Sequence, residues 1–255
     1  MIRFVKVGDF VENDELKIYR GEDFIISKHI VIHQPSLGEI ADYGERQFYN
    51  MIYQLTSTPQ SMKWQLWDIG IDYTKITPYK LFYSFIFKIY SQQETSIIFG
   101  DLDFTKFELK YNANDEIVLY QSIGQDNVII DEFTYNMIMD YLRKVYDITK
   151  DEKRPANEAT KMILIEDDRE EFKRNQSKEY HSQLKNLISA MINCEGFKYN
   201  HAQVWDMKIN AFMDSVKRIL KIRNSSLLLQ SGYSGFGINL KEINKKQLDW
   251  LGELD

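Results

Sequence analysis

The last third of the chain, Lys178 to Asp255, limits its fold more than any other stretch. Two apolar rows at helical spacing come first. Leu184, Leu187, Ile188 and Met191 share one face of a helix predicted over 177–193. Trp205, Ile209, Phe212, Val216 and Ile219 share one face over 201–222, spaced 4-3-4-3 as in a coiled coil but for only two heptads. A glycine-punctuated break follows, Gln230-Ser-Gly-Tyr-Ser-Gly-Phe-Gly237, and then a short helix closing in Leu248-Asp-Trp-Leu-Gly-Glu-Leu254. Such faces must pack helix against helix, and the stretch offers no group suited to catalysis.

Composition extends that reading to the rest. A length of 255 residues allows one large domain or two small ones, either able to bury a core. Only 12 glycines and 4 prolines occur, and few breakers favour helix. The net charge of −6 is uneven: residues 151–255 hold 17 Lys+Arg against 16 Asp+Glu, leaving the acidic excess in 1–150. Neither half has the basic footprint of a duplex nucleic-acid binder. The lone Cys194 excludes an internal disulfide and a multi-thiolate zinc site. The longest apolar run, Leu81 to Phe87, lies between Lys80 and Lys88 and is far short of the roughly 20 residues a bilayer span needs. No signal peptide is expected at the N-terminus.

Along the chain, residues 1–32 read as extended, with β-branched runs at Phe24–Ile26 and His29–His33. Ser36 and Glu39 have capping-box spacing, and helices are predicted over 36–56, 60–71 and 78–92, the last entered through Thr77 and Pro78. The period then falls to two. Phe107, Leu109 and Tyr111 alternate with Lys106, Glu108 and Lys110, and a turn at Asn112–Asp115 leads into Ile117–Tyr120, a β-hairpin over about 104–121. Helices follow over 131–146 and 159–175, the second with Glu170 and Arg174 spaced to pair. Residues 147–158 read as a linker, and no internal repeat is visible. The expectation is an α+β protein, mainly α-helical, with a mixed region over 1–150 and a helical region over 151–255.

Each candidate for chemistry has a plainer reading. Asp101 and Asp103, just past the apolar run Ile97–Phe99 that reads as a strand, with Glu108 and Lys110 downstream, resemble the acidic-plus-lysine core of a metal-dependent nuclease. The five-residue gap is short, however, and the alternation puts Glu108 and Lys110 on the solvent face of the hairpin. His29 and His33, on one extended run, would stand about 13 Å apart, too far for one metal. His181 and His201 fall at helix ends, and Cys194 reads as a buried inert thiol. Gly232, Gly235 and Gly237 match no phosphate-loop order and read as chain reversal, with Asn239 and Glu242 capping the last helix. Glu166–Asp168 with Glu170 and Glu171 reads as a solvated helix face. The aromatics Trp64, Trp67, Tyr79, Phe82, Phe85, Phe87 and Tyr90 exceed what one stripe per helix would bury, so some are expected at the surface. No catalytic residue, metal site or cofactor is assigned.

Four stretches, His33-Gln-Pro-Ser-Leu-Gly-Glu39, Phe99-Gly-Asp-Leu-Asp-Phe104, Trp205-Asp-Met-Lys through Phe212-Met-Asp-Ser-Val-Lys-Arg218, and Tyr233-Ser-Gly through Ile243-Asn-Lys-Lys-Gln-Leu-Asp-Trp250, resemble phage proteins. They are similar to the tail modules of phages of low-GC Gram-positive hosts, in particular the tail assembly chaperones. The resemblance implies a non-enzymatic protein of the host cytoplasm that binds the tape measure protein or the tail tube protein. It allows a homo-oligomer and implies no nucleic acid and no membrane. A virion structural protein, such as a head–tail or baseplate adaptor, is the next expectation. Trp64, Trp67, Trp205, Phe212 and Trp250 are the residues expected to build the core or the binding surface.

Overall fold

A computed structural model describes residues 9–234, 239 and 242–254, with side chains from residue 15 onward. The α-helices, in chain order, are α1 (Asp9–Arg20), α2 (Leu37–Tyr43), α3 (Glu45–Leu55), α4 (Lys63–Asp68), α5 (Pro78–Leu81), α6 (Gln92–Phe99), α7 (Glu132–Tyr146), α8 (Glu158–Gln176), α9 (Gln183–Ile192), α10 (Ile209–Tyr233) and α11 (Lys245–Leu248). The strands are β1 (Phe24–Ile25), β2 (Val31–Ile32), β3 (Glu108–Tyr111), β4 (Ile117–Ile123) and β5 (Asp126–Ile130). They form two small antiparallel sheets, β1-β2 and β3-β4-β5. The protein is a mainly helical α+β fold. It forms two compact units: Glu22–Gln34 with Ile40–His181, and the described parts of Met1–Gly21, Pro35–Glu39 and Ser182–Asp255. The expected linker, 147–158, runs without helix or strand from 148 to 157 inside the first unit.

The first unit is built round aromatic rings. Phe104 lies 4.9 Å from Phe99, 5.9 Å from Phe107 and 6.1 Å from Phe82, while Tyr135 of α7 lies 5.0 Å from Phe82. The three-stranded sheet adds Leu119, Val128 and Ile130 to this core, and the Tyr79 hydroxyl donates to the Ile130 carbonyl at 2.7 Å. Rings at such separations contribute beyond the area they bury.

Two turns of this unit share one pattern, an aliphatic residue, Asp, an aromatic residue, Thr and Lys. Ile71-Asp-Tyr-Thr-Lys75 and Leu102-Asp-Phe-Thr-Lys106 each follow a helix and a glycine with positive φ, Gly70 and Gly100. In each, the aspartate caps a 3₁₀ turn by accepting from the amide and hydroxyl of the threonine two residues on. Each buries its aromatic side chain, Tyr73 or Phe104. Two five-residue copies separated by α5, a π segment and α6 give the sequence no period.

In the second unit α9 and the first half of α10 each bury one apolar face, and α10 also meets α1 and α11. Leu184, Ile188 and Met191 of α9 and Ile209, Phe212 and Val216 of α10 are buried, with Val204 and Met207 from the turn between them. Residues 35–39 lie against this turn. The Leu37 amide donates to the Met207 carbonyl at 2.9 Å and the Ile209 amide to the Pro35 carbonyl at 3.1 Å. Ser36 and Glu39 form the expected capping box.

Several expectations need correction. Residues 9–20 are helical rather than extended. The helix predicted over 36–56 is broken by Gly44, whose φ of 100° only glycine adopts without strain. The helix over 78–92 has one α turn, then a π segment over Phe82–Ile86 in which Phe87 N–H bonds the Phe82 carbonyl. Ile97–Phe99 ends α6 rather than a strand. Strand β5 was not foreseen, although Gly124 before Val128-Ile-Ile130 was its signal. The row over 201–222 is a 3₁₀ turn followed by a helix that runs on to Tyr233, through Gly232. Gly235 and Gly237 lie outside the described residues. Asn244, not Asn239, caps the last helix.

Candidate binding surface

The second half of α10 departs from the first. From Leu220 onward its apolar side chains are largely uncovered: Leu220, Ile222, Leu227 and Tyr233 are each between 37% and 80% exposed. The end of the chain lies along this half. The Ser225 hydroxyl donates to the Leu248 carbonyl at 2.8 Å, and Arg218 donates from Nη1 to the Trp250 and Gly252 carbonyls, each at 2.8 Å. Lys221 donates to the Glu253 carbonyl. Residues 218, 221, 225 fall on one helical stripe, so the helix spends its polar stripe on the tail's carbonyls. Gly252 fits because a Cβ there would come within 2.7 Å of the Asp249 carboxylate. This anchoring sets Trp250 (46% exposed) and Leu251 (73% exposed) beside α10 in solvent.

Arg218 is the double clamp on that tail. Replacing it with alanine frees two carbonyls, each bond being worth about 1 kcal/mol or somewhat more to a charged donor. Arg218→Ala is therefore expected to speed hydrogen exchange at the Trp250 and Gly252 amides by about tenfold or more. Exchange mass spectrometry on 242–254 reads it, and unchanged protection would contradict the assignment.

The five singled-out aromatics separate in space. Phe212 is fully buried in the second unit, 6.3 Å from Phe197. Trp205 is half-buried there, its carbonyl 3.2 Å from where a Cβ on Gly38 would stand, and its ring 5.9 Å from His201. Trp250 is exposed. Trp64 and Trp67 are half-buried in the first unit, where α4 packs on α8. Trp64 lies 5.0 Å from Phe172, and Trp67 offers its face to Lys161 at 5.3 Å. Phe212 is thus core and Trp250 surface. The exposed residues Leu220, Leu227, Tyr233 and Leu251 were missed. Their signal was the drift of the apolar row off its face after Ile219.

Lys161 is a buried ammonium that donates to Asp72 at 2.8 Å and to Glu158 at 3.0 and 3.1 Å. Desolvation pulls the Asp72 carboxyl upward, but the Lys161 hydrogen bond, the Thr74 hydroxyl and amide, and the Lys161 charge outweigh it. They hold its pKa well below the ordinary 3.8. A depressed folded pKa gives stability that is complete above 3.8 and is lost as the pH falls through the lower folded value. Thermal unfolding between pH 5 and pH 2 should therefore show a smaller acid loss in Asp72→Asn than in the wild type. Parallel curves would contradict the linkage.

The acidic constellations take structural roles. Asp103 accepts from Thr105 at 2.6 and 3.0 Å and lies 3.2 Å from Lys106. The Thr105 hydroxyl, ahead of the Lys106 contacts and against desolvation, holds its pKa down. Asp101 is exposed, and Glu108 and Lys110 lie on the exposed strand β3. Among the described residues no three His, Cys, Asp or Glu gather where a metal could be held. His29 lies in the β1-β2 turn and His33 just after β2, rather than on one strand. His29 Nε2 meets Asp126 at 2.7 Å, and His33 Nδ1 meets Asp23 at 2.9 Å. Lys28 and then His29 lower the Asp126 pKa by hydrogen bonding, beside a cavity of about 480 Å³. A larger groove of about 870 Å³ runs past Tyr53, Gln54, Gln65, Tyr90, Lys150 and Phe172.

The remaining expectations fall between. Cys194 is half-buried, not buried, with its thiol 3.3 Å from the Glu195 carbonyl. On α8, Asp168 meets Lys63 at 3.2 Å and Arg169 bridges Glu166 and Asp68, so this acidic run is partly engaged by α4. Phe85 and Ile89 are exposed, while Tyr79, Phe82 and Phe87 are buried. No helix among the described residues is long and apolar enough to cross a membrane.

Residues 173–255 match the family model described as YomV second domain, a family derived from Bacillus phage. The matched stretch holds the end of α8 and all of α9, α10 and α11. No curated protein and no solved structure matches the chain.

Proposed function

We propose that this chain is a non-enzymatic binding protein of phage tail assembly, a chaperone that holds the tape measure protein, or the tail tube protein, before the tube forms. The observation that carries the reading is the pair of uncovered apolar residues Leu220 and Leu227, two turns apart on α10, with Trp250 and Leu251 exposed on the tail, within a stretch similar to a phage-derived domain. Exposed apolar residues of this kind mark protein-binding sites, and an amphipathic helix seats its own apolar face against them. A tape measure protein is long, helical and apolar, and needs cover until it is enclosed. Anchoring the tail by backbone carbonyls leaves Trp250 and Leu251 pointing outward for such a client. Two measurements test the reading together. A phage lacking the gene should make few or aberrant tails by electron microscopy, and mass spectrometry should find the protein missing from purified particles. Normal tails in the deletion would sink the reading. Stoichiometric presence in the virion would favour a structural adaptor instead.

A further inference from the structure

Strand β3 forms an open edge of the three-stranded sheet: among the described residues β4 is its only strand neighbour. The phase of the ladder shows which groups face out. The Asn112 amide donates to the Glu116 carbonyl at 2.9 Å, so Asn112, Lys110 and Glu108 form the bonded pairs with β4. Leu109 and Tyr111 therefore aim their N–H and C=O groups away from β4. Their side chains lie on the face that Leu119 and Ile130 bury further into the sheet, yet they are 51% and 73% exposed. An apolar overhang thus borders a row of outward backbone groups, the arrangement that accepts another strand.

We propose that a second copy of this chain occupies that edge, pairing β3 with β3 about a two-fold axis through Leu109. An antiparallel self-pair that uses the outward groups can centre on Glu108, Leu109 or Lys110. Centred on Glu108 or on Lys110, it sets that residue directly against its own copy, two like charges face to face, which is unfavourable. Centred on Leu109, it sets Glu108 of each copy opposite Lys110 of the other, two complementary pairs. Leu109 then meets Leu109, and the Tyr111 N–H faces the Phe107 carbonyl of the second copy. Within one chain Glu108 and Lys110 stand 3.8 Å apart on the exposed face, with Lys110 over the Tyr120 ring at 3.5 Å. Both charges are thus already on the face where the cross-strand pairs form. The product is a continuous six-stranded antiparallel sheet, and an isologous contact of this kind closes as a dimer.

The test is sedimentation velocity of the full chain from about 1 to about 100 μM, a range that brackets a weak, small interface. The wild type is expected to be dimeric at the upper end. Glu108→Lys alone and Lys110→Glu alone turn both cross-strand pairs repulsive and should each weaken the dimer by about tenfold or more. An equimolar mixture of the two variants regains both pairs and should restore dimer to the wild-type level. Circular dichroism confirms that each variant is folded. A wild type that stays monomeric overturns the proposal. So do single variants that dimerise like the wild type, or a mixture that fails to recover. The outcome does not depend on the tail-assembly reading, which concerns other residues.

Discussion

Phe212→Ala is expected to cost the second unit about 3–5 kcal/mol, the range for emptying a buried aromatic site. The ring is fully buried and stands at the centre of a small core. Ile209 and Val216 flank it on its own helix, and Phe197 meets it edge-on at 6.3 Å. Few other residues of this unit are buried as deeply, so little can collapse into the gap. Total stabilities run to only about 5–15 kcal/mol, and the loss is a large share of that. Exchange of the α10 amides around residue 212 should accelerate by about a hundredfold or more. Phe212→Leu, which keeps most of the volume, should cost well under half as much. If alanine and leucine behaved alike, Phe212 would not be the packing centre.

Phe104→Ala is expected to do similar damage in the first unit, again about 3–5 kcal/mol. Three rings lie within 6.1 Å of it, and its own turn is fixed by Asp103. The neighbouring Asp103→Ala removes only the cap of a short turn and should cost about 1 kcal/mol. The comparison divides core packing from local capping across adjacent residues. Urea unfolding of the two variants gives both numbers, and a cap loss equal to the ring loss would contradict the division.

Where a rule is local, the sequence could be read. The Ser36–Glu39 box, Thr77 with Pro78, and the alternation on β3 and β4 each follow from residues within one turn or one pair of strands. What failed depends on tertiary context. The π segment over Phe82–Ile86 has the apolar spacing of an α-helix, and its extra residue per turn leaves no compositional mark. The stretch of helix α1 reads as extended because its β-branched and aromatic neighbours weigh that way, while its short polar run carries little period.

The surface was legible only in outline. The last third read as the distinctive part of the chain, and the family match falls on 173–255. The split of its residues into core and surface was not legible. Phe212 and Leu227 look alike as apolar helix residues, and only the end of α9 and the path of the tail decide that one is covered and the other is not. The acidic set at Asp101–Lys110 misled in the opposite direction. Aspartate followed two residues later by threonine is as much a turn cap as a metal ligand, and its second copy at Asp72 was the available clue.

The proposal to be tested is that the exposed Leu220 and Leu227 of α10, with Trp250 and Leu251 of the tail, bind a helical client of the phage tail. Co-expression with the tape measure protein, followed by purification on a tag carried by that protein, tests it most directly. The wild type should copurify in fixed proportion. A folded variant carrying Leu227→Asp and Leu251→Asp should be retained at least about tenfold less, since burying either charge against an apolar helix is unfavourable. No copurification of the wild type, or equal retention of the variant, would contradict the account.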